Sequence, residues 1–305
     1  MIRRALVGLL LVLGVLGVVA YTTEPPRLLS WADAAVGGGR GVALVGDAVP
    51  FGSTGQTLDV WRPSGDKAKL PVLIFWYGGG WVHGDRRAYA FAARAFAKAG
   101  FVVVVPDYRK VPGVRFPAFV QDGAQAVKWT RDNVARYGGD PARISVSGHS
   151  AGAYIAAMLT LDRRWLRAEG VDPAIIRAAA PMCGPYDFFP FDKRRSIDAM
   201  QGVRDGQMTQ PIHFARRDAP PMLLLTAGDD VQVGAHNAVN LTARLRSLGA
   251  SVEHRDYPGL SHENVAMALS VPFRGKAPVL ADTIAFLRST LNIVPARDGR
   301  PAPPS

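Results

Sequence analysis

Cysteine is nearly missing from this chain: 305 residues contain one, Cys183. No intrachain disulfide can form, so the core must hold the fold, and cysteine usage leaves the redox compartment open. Metal signatures are missing too, with no H-x-H, H-E-x-x-H or C-x-x-C pattern. The glycine run Gly78-Gly79-Gly80 is not followed by G-K-[ST], which excludes a phosphate loop of the P-loop type. No internal repeat occurs at solenoid periods. Neither a metal nor an organic cofactor is therefore expected. Acidic residues are outnumbered, 25 against 36 Lys and Arg, which gives a net charge of +11 and a pI of about 10.1. The basic residues are scattered (Arg86 and Arg87, Arg163 and Arg164, Lys193 to Arg195, Arg216 and Arg217) and fall in no nucleic-acid motif. They read as a solvated surface, with no nucleic-acid partner expected.

What is present begins at the N-terminus. Arg3 and Arg4 precede an uncharged apolar run from Ala5 to Tyr21, followed by Glu24 and two prolines. This is the layout of a signal peptide or an N-terminal membrane anchor over residues 1–21. Arginines before the run place the remainder outside the cytoplasm, exported and periplasmic, with possible association with the inner membrane. Residues 22–40, rich in Pro, Gly and small side chains, read as a linker. Residues 41–292 form the expected catalytic domain, and the Pro-rich residues 293–305 a disordered tail.

Within that domain, apolar runs at 71–77, 101–108 and 143–150 read as strands buried on both faces. Shorter strand candidates lie at 56–63, 175–182 and 220–228, and 251–259 reads as a strand and loop. Helical patterns at 86–100, 117–139, after Ser150, at 237–248 and at 278–291 alternate with them. Alternation of this kind predicts an α/β fold: a mostly parallel sheet with helices on both faces and sites at the carboxyl ends of its strands. Residues 184–219, with Phe188, Phe189 and Phe191, read as an irregular excursion or a small cap.

Four loops at those strand ends carry unusual residues. Gly148-His149-Ser150-Ala151-Gly152 matches G-x-S-x-G between a strand and a helix, the context of a nucleophile elbow. The pattern is short, and a structural turn stays open on this motif alone. A serine needs a base to take its proton and an acid to orient that base. Downstream, TAGDDVQV offers Asp229 and Asp230, and YPGLSHEN offers His262. Asp230 stands three residues before Val233 and is preferred as the acid; His262 alone among six histidines has the right order and loop for the base. Gly78, Gly79 and Gly80, with Ala151 next to the serine, supply candidate backbone N–H donors for an oxyanion hole. Cys183, at the end of an apolar run, reads as a buried, inert thiol.

From residue 55 to residue 292 the chain resembles α/β-hydrolase carboxylesterases and lipases of the hormone-sensitive-lipase and feruloyl-esterase-like group, near kynurenine formamidases. The resemblance rests on LDVWRP, YGGGWVHGD, VVVVPDYR, FPAFVQDGAQAVKW, GHSAGAYIA, GPYDF, LLLTAGDD and YPGLSH. It implies an α/β-hydrolase fold with a minimal cap, Ser150 as nucleophile, Asp230 as acid, His262 as base, and a small-molecule ester as substrate. Three alternatives share that framework: an amidase, arylformamidase or serine peptidase; an inactive binding protein; and an interfacial lipase. Tyr77 departs from the family, which usually has histidine there; the position supports the glycine loop. Asp107, Arg109, Asp122 and Asp187 read as structural ion pairs and turn residues.

Overall fold

The computed structural model describes residues 23–65 and 69–293. The N-terminal segment 1–21, expected to direct export or anchor the chain, lies outside them, as does nearly all of the expected tail. Among the described residues no helix is long and apolar enough to cross a membrane.

Eight strands and nine α-helices form the described residues. In chain order they are α1 (Pro25–Ala35), β1 (Val42–Phe51), β2 (Gln56–Pro63), β3 (Leu70–Trp76), α2 (Ala90–Lys98), β4 (Val102–Pro106), α3 (Ala118–Asn133), β5 (Gly139–His149) and α4 (Ala151–Leu161). There follow α5 (Arg163–Ala168), β6 (Ile176–Met182), α6 (Arg194–Met200), β7 (Met222–Ala227), α7 (His236–Ser247), β8 (Val252–Tyr257), α8 (His262–Met267) and α9 (Val279–Thr290). The strands make one sheet in the order β1-β2-β4-β3-β5-β6-β7-β8. β1 pairs antiparallel with β2, and β2 antiparallel with β4; the remaining pairs are parallel.

The buried strands follow from composition. Every residue of β3 (LPVLIFW) and of β4 (VVVVP) is buried. Helices cover both faces of a parallel sheet, so its central strands are apolar throughout rather than alternating. Register then sets where the loops emerge. Trp76 pairs with Gly148, so the glycine loop after β3 starts beside the elbow after β5. Ala227 pairs with Tyr257, so the loop carrying Asp230 starts beside the one carrying His262.

Two elements depart from the sequence reading. Residues 25–35, expected as linker, form α1, with proline in its first turn. Its polar residues explain the order. Asp33 is buried, pairs with Arg94 of α2 at 2.9 Å, and accepts the Val271 N–H at 2.8 Å. Ser30 donates to the Ala88 carbonyl at 2.8 Å and accepts the Phe91 N–H at 3.1 Å. These partners are distant in sequence and invisible to periodicity. β1 lies where the sequence pattern marks no strand; its register shifts around Gly46 interrupt the alternation that would mark one. Residues 184–219 form a small excursion containing α6 and two single-turn 3₁₀ helices.

Candidate functional site

The elbow is built by close packing. Ser150 has φ 55° and ψ −119°, a conformation that a non-glycine residue holds only when its surroundings fix it. Its N–H donates to the Met182 carbonyl at 2.9 Å, and its carbonyl accepts the Tyr154 N–H at 3.0 Å. Gly152 must lack a side chain because a methyl there would lie 2.1 Å from the Trp76 carbonyl oxygen. β5 therefore turns straight into α4 against the end of β3, with Ser150 at the bend.

On the other side, Asp230 follows β7. Its Oδ1 accepts the N–H groups of Gln232 (2.9 Å) and Val233 (2.8 Å), which ties the turn. Its Oδ2 accepts from His262 Nδ1 at 2.7 Å. Exposure separates the two acids: Asp229 is exposed, whereas the Asp230 side chain is 2 % exposed. Burial works to raise the Asp230 pKa, but the His262 hydrogen bond and charge and the two backbone donors outweigh it and hold the carboxyl below the usual range. The sequence places His262 in a loop; in the structure it is the first residue of α8, and it is buried.

Ser150, Ala151, Gly80, Trp81 and His262 all line one cavity of about 820 Å³. The glycine loop reaches it by an unusual backbone path. Gly79 has φ +132°, and a methyl there would lie 2.3 Å from the His83 carbonyl oxygen. The Gly79 carbonyl accepts the N–H groups of Val82 (3.1 Å) and His83 (3.0 Å), and Trp81 takes φ 61°. Among the described residues the N–H groups of Gly79, Gly80 and Ala151 have no acceptor, and donors of this kind can receive a developing oxyanion. Gly78 differs: a methyl there would meet the Tyr89 hydroxyl at 3.0 Å and His149 Nδ1 at 2.8 Å.

That hydroxyl belongs to a bridge the sequence reading missed. Tyr89 O–H lies 3.0 Å from His149 Nδ1, and His149 Nε2 lies 2.9 Å from the His262 carbonyl oxygen. A carbonyl can only accept, so Nε2 carries the proton and Nδ1 accepts from Tyr89. The His149 ring also packs against the His262 ring, centroids 4.7 Å apart. Burial, then the nearby His262, lowers the His149 pKa to about 3. The bridge thus runs from Tyr89, past Gly78, to the backbone of His262. A histidine directly before the serine was the available signal; its partner Tyr89, sixty residues away, was not.

Tyr77 is buried, stacked on Tyr108 (centroids 4.7 Å), and donates to Asp107 Oδ1 at 2.9 Å. Asp107 also receives Arg86 Nη1 at 2.7 Å. Arg109 pairs with the fully buried Asp122 at 2.8 Å. These contacts fix the start of the glycine loop. Asp187 is held by its neighbours, its carboxylate accepting Asn240 Nδ2 at 2.7 Å.

Cys183, Asp230 and His262 bring donor atoms within 4.8 Å of one another. They do not suit a metal. A ligating cysteine is a thiolate, but burial, followed by the charge of Asp230, pushes the Cys183 thiol well up. His262 Nδ1 is already engaged by Asp230.

With this geometry in place, the relatives decide the family: residues 58–245 match the BD-FAE family. The chain belongs to that family of α/β hydrolases. It is 36% identical over 232 residues to esterase LipC of Mycobacterium tuberculosis, covering 68% of this chain and 56% of that protein. It is 30% identical over 269 residues to esterase LipQ of the same organism, covering 78% and 62%. The chain therefore spans only about three-fifths of the length of these two relatives. Carboxylesterase NlhH, also of M. tuberculosis, is 32% identical over 74% of this chain and 76% of its own. Among solved structures, an esterase of Pyrobaculum calidifontis superposes with a TM-score of 0.70 at 22% identity, covering 89% and 93% of the two chains, a likeness of fold.

Proposed function

We propose that this protein hydrolyses carboxylic esters of small molecules through an acyl-enzyme on Ser150. The observation that carries the reading is the shared cavity: Ser150, Gly80, Ala151 and His262 line it, and Asp230 grips the Nδ1 of that histidine at 2.7 Å. The Asp230 contact commits the His262 Nδ1 to donation, so Nε2 is left to act as the base. His262 Nε2 takes the proton of Ser150 Oγ as that oxygen attacks the ester carbonyl carbon. The N–H groups of Gly79, Gly80 and Ala151 hold the oxyanion, an interaction worth about 3 kcal/mol of barrier per donor in enzymes of this kind. The tetrahedral intermediate collapses, and the alcohol leaves with the proton from His262. Water, deprotonated by His262, then attacks the acyl-enzyme and releases the acid and Ser150. The names of the relatives support ester rather than amide cleavage: LipC, LipQ and NlhH are called esterases, and a protein of Arabidopsis thaliana at 28% identity an isoprenylcysteine alpha-carbonyl methylesterase. Turnover of p-nitrophenyl acetate and butyrate by the full chain, lost in Ser150→Ala, is the expected result. Equal rates in both proteins would refute it.

We also propose export, from the sequence of residues 1–21 alone, with Arg3 and Arg4 staying on the cytoplasmic side. Mass spectrometry of the mature N-terminus distinguishes the two forms: a chain starting near Tyr21 means cleavage, an intact Met1 an uncleaved segment.

A further inference from the structure

The cavity is roofed by residues 185–196, and that roof carries three consecutive basic residues, Lys193, Arg194 and Arg195. They are not equivalent. Arg194 pairs with Asp198 at 2.9 Å, one turn along α6. Lys193 has Asp192 at 3.9 Å. Arg195 has no acidic partner among the described residues. Its side chain lies instead across Gly80. A methyl built on that glycine would meet Arg195 Cδ at 2.7 Å and Nη1 at 3.4 Å. The guanidinium therefore stands beside one of the backbone donors proposed for the oxyanion, on the wall of the cavity that holds Ser150.

Two carboxylates, Asp187 and Asp192, also line this cavity. Asp192 faces Lys193, and the Asp187 carboxylate is taken by the Asn240 amide on α7. The neighbouring wall is apolar, with Trp81 and Phe188 stacked at 6.2 Å. One planar, permanently charged fork beside an apolar wall recognises a carboxylate at the end of a short hydrocarbon.

We propose that Arg195 selects esters carrying a carboxylate in their acyl or alcohol part. The inference rests on the ester-hydrolase reading of the same cavity. It adds that the preferred substrate is a monoanion, bound with its charge against Arg195 and its scissile carbonyl at Ser150.

Acid release at constant pH by the full chain tests this with two matched pairs of esters. Monoethyl glutarate against ethyl hexanoate places the charge in the acyl part; carboxymethyl butyrate against propyl butyrate places it in the alcohol. The expected result is a higher kcat/KM for the anionic member of at least one pair. Arg195→Gln should reduce that preference about tenfold, the factor supplied by roughly 1.4 kcal/mol of charge pairing. The change should sit mainly in the KM of the anionic esters, and the neutral esters should change much less. Arg194→Gln, which alters a neighbouring charge, should leave the preference intact, and Arg195→Lys should recover part of it. The pair that responds says which part of the substrate bears the charge. An unchanged preference in Arg195→Gln overturns the proposal. So does an equal fall for charged and neutral esters, which would make Arg195 a general stabiliser of the oxyanion. If the wild type hydrolyses none of the four and also fails on p-nitrophenyl butyrate, the ester-hydrolase reading itself has failed, and the selectivity with it.

Discussion

His149 should make this protein sensitive to mild acid, by an amount that can be worked out. The ring is buried, with one nitrogen accepting from Tyr89 and the other donating to the His262 carbonyl. A second proton would sit on Nδ1, buried and beside the ring of His262. Burial first, and that neighbour second, bring the folded pKa to about 3, whereas an unfolded histidine titrates near its ordinary 6.5. The folded pKa is depressed, so the neutral form is favoured by folding. The resulting stability is fully present above pH 6.5 and is lost as pH falls toward 3. Between pH 7.5 and 5 the unfolded chain gains the proton and the folded chain does not, a loss of about 2 kcal/mol from this group. A folded pKa one unit higher would leave that figure almost unchanged. His149→Gln keeps an amide donor for the His262 carbonyl but cannot titrate. Urea unfolding of both proteins at pH 7.5 and 5 is the assay, with stabilities taken from linear extrapolation. The other titrating groups are common to both proteins and cancel in the difference. The wild type should lose about 2 kcal/mol more than the variant over that range. Parallel losses would refute the placement of His149 as a neutral, buried donor.

Three other perturbations test separate parts of the structure. Gly152→Ala puts a methyl 2.1 Å from the Trp76 carbonyl oxygen, backbone that cannot swing aside; a fall of about 3 kcal/mol or more in unfolding free energy is expected, and a wild-type melting curve would contradict the elbow geometry. Asp230→Asn should lower kcat by about 10³- to 10⁴-fold with little change in KM, read from steady-state kinetics, because the amide no longer holds His262 in the useful tautomer. Asp33→Ala strands the buried Arg94 and the Val271 N–H, and should destabilise the fold by about 3–5 kcal/mol in urea titration while leaving the specific activity of the remaining folded protein unchanged.

What the sequence disclosed was whatever its local patterns could encode. The central strands were legible because β3 and β4 are apolar at every position, as strands covered on both faces must be. Ser150, Asp230 and His262 could be picked out because each follows the carboxyl end of a strand within a few residues, and parallel register carries those ends to one edge of the sheet. What escaped depended on partners far away in the chain. α1 is held by Arg94, Ala88 and Val271, between 58 and 238 residues from the groups they bind. The Tyr89–His149–His262 bridge spans separations of 60 and 113 residues. Arg195 reads in the sequence as one of many scattered surface charges; it is exposed in the fold, and only the fold shows that it lies across Gly80. In the sequence only spacing distinguishes Asp230 from Asp229; in the structure the burial of one carboxylate and the exposure of the other separate them.

The most direct test of the central claim is covalent. The full chain, folded at neutral pH, is treated with a fluorophosphonate ester and digested, and the modified peptide is sequenced by mass spectrometry. Attack by an activated serine should place one phosphonyl group on Ser150 in the peptide containing ISVSGHSAGAY, with Asp230→Asn labelled far more slowly. A folded protein left unlabelled, or labelled at another residue at a rate indifferent to Asp230, would contradict the assignment of Ser150 as nucleophile.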